Sequence, residues 1–145
     1  MEYCHLLFVQ SLVHLKAVFA PFLFSLYTAD CRSTDELCPL VKFVDDTELV
    51  GKISNDEDAR YHKQIENFVN WCDKNYLYLN VSKTKEICID FRKNQRCPKS
   101  DHIKGEAVER VEIYKYLGVV FDGKLNWKEN INPVLKKVNT RLYCL

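Results

Sequence analysis

The sequence has little of what builds a zinc site or a disulfide-stapled domain. Its seven cysteines, at positions 4, 31, 38, 72, 88, 97 and 144, are scattered, their number is odd, and no two form a CxxC pair. Cys31 and Cys38 are the closest pair, and no group of His and Cys residues around them has the spacing of zinc ligands. The pattern predicts free thiols in a reducing compartment, nuclear or cytoplasmic.

Long apolar runs are also missing. The first 29 residues are rich in apolar side chains, but polar residues such as Lys16 interrupt them, and no run of about 18 apolar residues exists. A secretory signal peptide needs a basic start, whereas Glu2 is the first charged residue and no lysine or arginine precedes Lys16. We therefore favour a buried helix, interrupted or restarted at Pro21, over a membrane or secretory segment.

The charge is unevenly distributed along a chain of otherwise ordinary composition. With 47% hydrophobic and 28% charged residues, the 145 residues have the composition of one globular domain, or of part of a larger one. Residues 1–73 carry six Lys or Arg against twelve Asp or Glu, a balance of −6, and residues 74–145 carry fifteen against eight, a balance of +7. The basic half predicts a polyanionic partner, with a solvated surface as the alternative.

Hydrophobic periodicity predicts a mixture of helices and strands. "LVKFVDDTELVGKI" is typical of two short strands around a turn, and we expect Phe43 and Leu49 on its buried side. "LYLNVSKTKEICIDF" has the period of two that strands show. Between them, a period of three to four predicts a helix over residues 57–75. Its apolar positions are Tyr61, Ile65, Phe68, Val69, Cys72 and Tyr76.

The last third of the chain predicts two hairpins and a helix. "IKGEAVERV" has the pattern of a small hairpin that turns at Gly105-Glu106, and "YKYLGVVFDGKLNW" that of a second that turns at Asp122-Gly123. Apolar residues at helical spacing follow, and the chain ends while that stripe is still running. They are Ile131, Val134, Leu135, Val138 and Leu142.

Two adjacent carboxylates, Asp45 and Asp46, stand at the bend predicted for the first strand pair. Aspartate is a common turn residue, so an exposed turn is one explanation. Like charges side by side also suit a bound cation, and Mg²⁺ accepts one or two carboxylates together with substrate phosphates. Two such ions about 3.5–4 Å apart can stabilise the attacking and leaving oxygens of a phosphoryl transfer.

"FVDD" in a hairpin resembles the metal-binding motif of reverse transcriptases. Five segments follow in the order seen in the reverse transcriptases of non-LTR (LINE-type) retrotransposons. They are "PFLFSLYTADC", "KFVDDTELVG", "WCDKNYLYLNVSKTKEICIDF", "VERVEIYKYLGVVFDGKLNW" and "LKKVNTRLY". The resemblance covers residues 17–145, nearly the whole chain.

The resemblance implies an α+β fold and a fragment of an RNA-directed DNA polymerase, a nucleotidyltransferase. Residues 1–122 would form a partial palm (helix, catalytic hairpin, helix, strands), and residues 123–145 the end of the primer grip and a truncated first thumb helix. The implied cofactor is Mg²⁺ in a two-metal site, and the implied partners are an RNA template and a DNA primer, with no stable protein partner and no membrane.

The same resemblance assigns roles to individual residues. Asp45 and Asp46 would hold the metal, and Lys83, with Lys85 nearby, would neutralise the triphosphate or the leaving pyrophosphate. A solvated lysine pair is the alternative. Nucleic acid would be contacted by primer-grip residues, which could equally be ordinary strand packing, and by basic thumb residues, which could be a solvated helix face. These residues are Tyr114, Tyr116 and Leu117 of the grip, and Lys136, Lys137 and Arg141 of the thumb helix.

The sequence also departs from the family pattern. Leu15 and Lys16 occupy the place of a Gln-Gly pair, so the nucleotide-side loop is altered. The family's first catalytic aspartate lies far upstream, on a strand that we expect this chain to lack, and Asp30 is no substitute because it lies only 15 residues before Asp45. We also expect this chain to lack the fingers, any endonuclease domain and most of the thumb. We therefore expect no activity from this chain alone.

Two other readings stay open. The tail over residues 114–145 also resembles the N-terminal region of an AlkB-homologue dioxygenase/tRNA methyltransferase. Iron dioxygenase chemistry needs two histidines and a carboxylate that converge, but the four histidines include no His-x-Asp pair, and no glycine-rich methyl-donor loop is present. The other reading is a non-catalytic nucleic-acid-binding or scaffold fragment.

Overall fold

The computed structural model of the chain describes residues 2–10, 20–54, 58–92 and 100–142. It combines helices with small sheets, which confirms the predicted α+β class. In these ranges the elements are, in chain order, β1 Glu2–Gln10, α1 Ala20–Tyr27, β2 Leu40–Phe43, β3 Asp46–Ser54, α2 Ala59–Lys74, a 3₁₀ helix Val81–Lys83, β4 Lys85–Ile89, β5 His102–Ile103, β6 Glu106–Ala107, β7 Glu109–Arg110, β8 Ile113–Tyr116, β9 Val119–Asp122 and α3 Lys128–Leu142.

The main sheet has five strands in the order β2-β3-β1-β4-β7, with β1 at its centre. β1 runs antiparallel to β3 over its full length, from the pair Glu2 and Ser54 to the pair Gln10 and Asp46. It also runs antiparallel to β4, where Phe8 pairs with Lys85, and β7 joins the far edge in parallel with β4. The central strand thus borders the aspartate hairpin directly.

The prediction of a buried helix over the first 29 residues is wrong for residues 2–10, which form β1. Residues 5–9 are all buried, on both faces of the sheet. A strand covered on both faces loses the period of two, so its sequence looks like that of a buried helix. Within this segment α1 is helical, and Pro21 lies in its first turn. Proline lacks a backbone N–H, but an N–H in the first turn has no hydrogen-bond partner within the helix, so no helical hydrogen bond is lost. Leu15 and Lys16 lie outside the described residues.

Each face of the sheet is covered by a different element. α2 packs on one face, through the positions that its amphipathic pattern predicts, which confirms that helix and its packing. Ile65, Phe68 and Cys72 are buried there against Leu7 and Leu49, and Val69 packs at the margin. The β8–β9 hairpin covers the other face. The apolar residues on that side are Leu6, Phe8, Ile87, Ile89 and Tyr116.

Both small hairpins turn at positions other than those predicted. β5 and β6 turn at Lys104-Gly105, one residue earlier than expected, and β8 and β9 turn at Leu117-Gly118 instead of Asp122-Gly123. Leu117 and Gly118 both have positive φ, 47° and 88°, as a two-residue turn between twisted strands requires. The Asp122 carboxylate instead accepts hydrogen bonds from the backbone N–H groups of residues 124 and 126, and so shapes the turn that leads to α3.

α3 is attached to the β8–β9 hairpin at its first turn. The Asn130 amide donates to the Val120 carbonyl and accepts from the Val120 N–H, at 2.8 and 2.7 Å. Its predicted apolar stripe exists but stays exposed, and none of the described residues of the helix is buried. Within the described ranges, no helix has the length and apolar content that crossing a membrane requires.

Candidate functional site

The aspartate pair lies at the tight turn between β2 and β3, as predicted. Phe43 pairs with Asp46, so Val44 and Asp45 form a two-residue turn. Val44 has φ of 56°, a left-handed conformation that costs an L-residue with a Cβ about 1–2 kcal/mol and is rare for a β-branched side chain. Strain of this kind clusters at functional turns, where the surrounding structure holds it.

The prediction that Phe43 and Leu49 share the buried side is wrong for Phe43, which is 55% exposed, while Leu49 is buried. Residues paired directly across an antiparallel ladder share a face, so Phe43 lies on the face of Asp46. Leu49 is three residues beyond Asp46 on the same strand and therefore lies on the opposite face, under α2.

Two tyrosines of β8 lie close to the aspartate hairpin. The Tyr114 ring stacks on Phe8 at 4.5 Å between centroids, and the Tyr116 ring lies 4.9 Å from Phe8 at a tilt. Burial raises the pKa of both phenols, and the charge of Asp46 raises it further. For Tyr116 the pKa reaches about 12, with Glu48 as a second acidic neighbour.

These tyrosines contribute to the core as well as to the surface beside Asp46. Tyr116 is buried and Tyr114 is half-buried, so much of each ring is used in packing, in line with the strand-packing alternative. Leu117, at the tip of the hairpin, is exposed. Contact with a primer stays a prediction for all three residues.

Lys83 lies at the same end of the sheet as the aspartates. It is the last residue of the 3₁₀ helix that contacts β1, and it is exposed. Because Phe8 pairs with Lys85 and Gln10 pairs with Asp46, the start of β4 and the aspartate turn border the same end of β1. Their backbones are two strand spacings apart, about 10 Å. The Lys85 ammonium forms an ion pair with Glu109 at 2.5 Å, so Lys83 is the better placed of the two lysines to meet a phosphate group.

Sequence comparison shows which known proteins this chain resembles. The chain is 25% identical, over 93% of its residues, to the RNA-directed DNA polymerase from mobile element jockey of Drosophila funebris. It is 24% identical, over 87% of its residues, to the probable RNA-directed DNA polymerase from transposon X-element of Drosophila melanogaster. Along nearly its whole length, the chain is similar to RNA-directed DNA polymerases of mobile elements. The predicted resemblance is confirmed.

The similarity covers only a small part of these polymerases. The matched region makes up 16% of the jockey protein and 14% of the X-element protein. No protein-family model matches the chain. No solved structure matches it either.

Against the two-metal site that the resemblance implies, the described residues offer few ligands. Among them, no third His, Cys or carboxylate joins Asp45 and Asp46 in a group that could hold a metal ion. The residue paired with Asp46 on the neighbouring strand is Gln10, and the acidic residue of β1, Glu2, pairs with Ser54 at the far end. Two adjacent carboxylates suit one Mg²⁺ that keeps waters or phosphate oxygens as its other ligands.

The basic residues of α3 are all on the surface. Lys136, Lys137 and Arg141 are exposed, and Lys137 and Arg141 share a helix face because they are four residues apart. The structure therefore leaves these charges accessible to a polyanion, and contact with nucleic acid stays a prediction for all three.

A buried polar cluster of three ionisable residues, His5, Glu86 and Asp101, was not predicted. His5 Nδ1 lies 2.5 Å from Glu86 Oε1, and the Arg110 guanidinium donates to Glu86 Oε2 at 2.9 Å. Although burial opposes it, these two partners lower the pKa of Glu86. Burial and the nearby charge of Glu86 raise the pKa of Asp101 to about 6, while His62 binds its carboxylate at 2.7 Å.

The local sequence pattern did not point to this cluster. Glu86 falls on the polar register of the alternation in "KEICID", which predicts a solvent-facing side chain, whereas the structure buries it. The partners could not be read from the sequence, because His5 and Asp101 are 81 and 15 residues away.

Proposed function

We propose that the chain is the part of an RNA-directed DNA polymerase palm that carries the aspartate hairpin, and that these 145 residues alone do not extend a primer. The observation that supports the assignment is the strained turn with Asp45 and Asp46, which borders the tyrosine hairpin on the sheet face that α2 leaves uncovered. The similarity to the jockey and X-element polymerases agrees with it.

In this proposal Asp45 and Asp46 hold Mg²⁺ at the turn. Bound Mg²⁺ supplies positive charge that stabilises the phosphoryl group during its transfer. Asp46 is fixed by its ladder pairing with Phe43, whereas Asp45 is exposed in the turn. Lys83 supplies a positive charge at the same end of the sheet, suited to the leaving pyrophosphate.

Absence of activity follows from the ligands and from positioning. The resemblance implies three carboxylates, and the strand beside the hairpin presents Gln10 opposite Asp46. Nothing in the described residues orients a triphosphate against a primer terminus, and lost orientation removes about 7–11 kcal/mol of barrier reduction. At about 1.4 kcal/mol per tenfold change, this corresponds to about five to eight orders of magnitude in rate.

Nucleic-acid binding without catalysis is the second candidate function. The observation that favours it is the basic half of the chain, with a balance of +7, which places exposed cations on α3. The iron dioxygenase reading of the tail has no support from its residues, since residues 114–145 contain no histidine.

Primer extension on an RNA template, with Mg²⁺ or Mn²⁺, tests the proposal. The unaltered chain is compared with the double variant Asp45→Ala, Asp46→Ala and with a matched control, Glu36→Ala, Glu106→Ala, which changes the net charge equally at two exposed sites. We expect no extension from any of them. Extension that the aspartate variant loses and the control keeps would disprove inactivity and establish the site.

A second experiment asks whether inactivity comes from polymerase segments outside this chain or from substitutions within it. The remaining parts of the jockey polymerase are supplied as a separate polypeptide, and synthesis is measured with each variant. Synthesis that depends on Asp45 and Asp46 would support the palm assignment. If the chain is shown to fold and to associate but no DNA is synthesised, the result would count against the palm assignment and in favour of nucleic-acid binding without catalysis.

A further inference from the structure

We propose that His5, Glu86 and Asp101 form a buried binding site for a divalent transition-metal ion of the zinc class. This site goes beyond the proposed function, because it lies on the α2 side of the sheet and uses none of the polymerase residues. His5 pairs with Gly51, five residues along β3 from Asp46, which is about 17 Å of extended strand.

The three side chains come together from three separate segments. His5 lies in β1, Glu86 in β4, and Asp101 directly before β5. One ligand atom from each lies within 4.8 Å of the other two. Their exposures are 2%, 0% and 5%, so water competes little for these atoms. Zinc binds nitrogen and oxygen at about 2.0–2.2 Å, so two ligands of one ion lie at most about 4.4 Å apart, close to the spacing of these atoms.

Each carboxylate is held at one oxygen by an outer partner, which leaves its second oxygen for another contact. Arg110 donates to Glu86 Oε2 from Nε at 3.2 Å and from Nη2 at 2.9 Å, so Oε1 faces His5. His62 Nδ1 binds Asp101 Oδ1 at 2.7 Å, and within the described residues Asp101 Oδ2 is buried without a hydrogen-bond partner. Metal-binding carboxylates are commonly oriented by outer partners in this way.

The donor set and the charge select the class of ion. The two carboxylates of the cluster and the Arg110 guanidinium have a formal balance of −1, which a divalent ion would change to +1. An imidazole nitrogen beside two carboxylate oxygens suits zinc and its neighbours, whereas Mg²⁺ prefers six oxygen ligands in octahedral geometry. The ion would take the place of the proton between His5 and Glu86, and would give Asp101 Oδ2 a partner.

One of the three ligands, Asp101, also lines a cleft at the surface. A cleft of about 390 Å³ between α2 and the segment around β5 is lined by His62 and Asp101. Asp58 and Glu66 also line this cleft, and they would attract a cation to it. Tyr61, whose ring centroid lies 5.3 Å from that of His5, packs against the cluster from α2.

Cobalt titration of the unaltered chain, stripped of metal with a chelator, is the first test. We expect one Co²⁺ per chain, with visible absorption bands of a four- or five-coordinate site, displaced by one equivalent of Zn²⁺ and not by excess Mg²⁺. Asp101→Asn keeps the size of the side chain and should weaken binding at least tenfold, whereas His102→Gln, an exposed imidazole next to Asp101, should leave binding unchanged.

Two results would overturn the site. A thiolate-to-cobalt charge-transfer band that Asp101→Asn does not change would place the ion on cysteines. A folded chain that binds no Co²⁺ or Zn²⁺ would show that the cluster is a hydrogen-bonded network without an ion. If Asp101→Asn fails to fold, histidine ring NMR of the unaltered chain decides: Zn²⁺ should shift the His5 ring signals, and a shift confined to other histidines would refute the proposal.

Discussion

Gly51 lies at a point of β3 where a single methyl group should be costly. It is buried and pairs with His5 at the centre of the sheet. A Cβ at this position would lie 2.3 Å from Tyr61 Cδ2 and 2.7 Å from Tyr61 Cγ, both below the 3.0 Å that real Cβ contacts respect. The glycine is therefore needed for the close approach of the Tyr61 ring, because any side chain would overlap it.

We expect Gly51→Ala to destabilise the fold, whereas the same substitution in most strands is stabilising. In a strand interior, alanine is ordinarily more stable than glycine by about 0.5–1 kcal/mol, because glycine loses more backbone freedom on folding. Here the Tyr61 ring is fully buried between α2 and the sheet, so it cannot move away cheaply. Overpacking of a core typically costs about 1–3 kcal/mol, and we expect the net loss of stability in that range.

Denaturant unfolding followed by circular dichroism gives the free energy of each variant. For a chain of this size, a loss of about 1–3 kcal/mol lowers the melting temperature by about 2–12 °C. The control is the same substitution in a Tyr61→Leu background, where the overlap is relieved. There Gly51→Ala should cost close to nothing or stabilise, so a double-mutant cycle should give a coupling of at least about 1 kcal/mol.

Equal effects of Gly51→Ala in both backgrounds would refute this reasoning. A neutral or stabilising effect in the unaltered background would do so as well, because it would show that the ring of Tyr61 is not fixed above the strand.

Three further predictions concern other parts of the chain. Tyr76 lies just after the end of α2, is 95% exposed and has a left-handed φ of 55°. Tyr76→Gly should therefore raise the free energy of unfolding by about 1 kcal/mol, and a lower free energy of unfolding would contradict this reasoning. The pKa of Asp101 is raised to about 6 in the folded chain, so the stabilisation that its protonated form provides is complete below about pH 4 and is lost as the pH rises through about 6. Asp101→Asn should therefore flatten the pH dependence of the free energy of unfolding between these pH values. Each phosphate contact contributes about −0.9 to the slope of log K against log salt, so charge reversal at Lys136, Lys137 and Arg141 should flatten the salt dependence of binding to a primer–template duplex, and binding insensitive to salt would favour a scaffold role.

The parts of the fold that the sequence predicted are those with a local signal. α2 buries one stripe of its surface, and so the period of its apolar residues gives both the helix and the face that packs. The aspartate hairpin was found because apolar residues flank two turn-forming residues. For both, neighbours in sequence are sufficient to define the element.

The parts that were missed depend on the rest of the fold. β1 is covered on both faces, so its buried run has no period that distinguishes a strand from a helix. Asp122-Gly123 has the residue types of a hairpin turn, but Leu117-Gly118 makes the turn and Asp122 serves the start of α3 instead. The His5 cluster joins residues from three segments, a fact of tertiary structure alone.

Among the described residues, Glu48 is the carboxylate closest along the chain after Asp46, and the structure argues against its completing the aspartate site. It lies two residues after Asp46 on β3, on the same face, with their Cα atoms about 7 Å apart. Burial raises the pKa of Glu48, which favours its neutral form, and the Tyr116 phenol responds to its charge from the covering hairpin. A half-buried carboxyl group under a tyrosine hairpin is a poor ligand for Mg²⁺, which keeps several waters and dehydrates reluctantly. In the proposed function, a third carboxylate for Asp45 and Asp46 therefore comes from outside the described residues, and catalysis by the hairpin depends on that carboxylate.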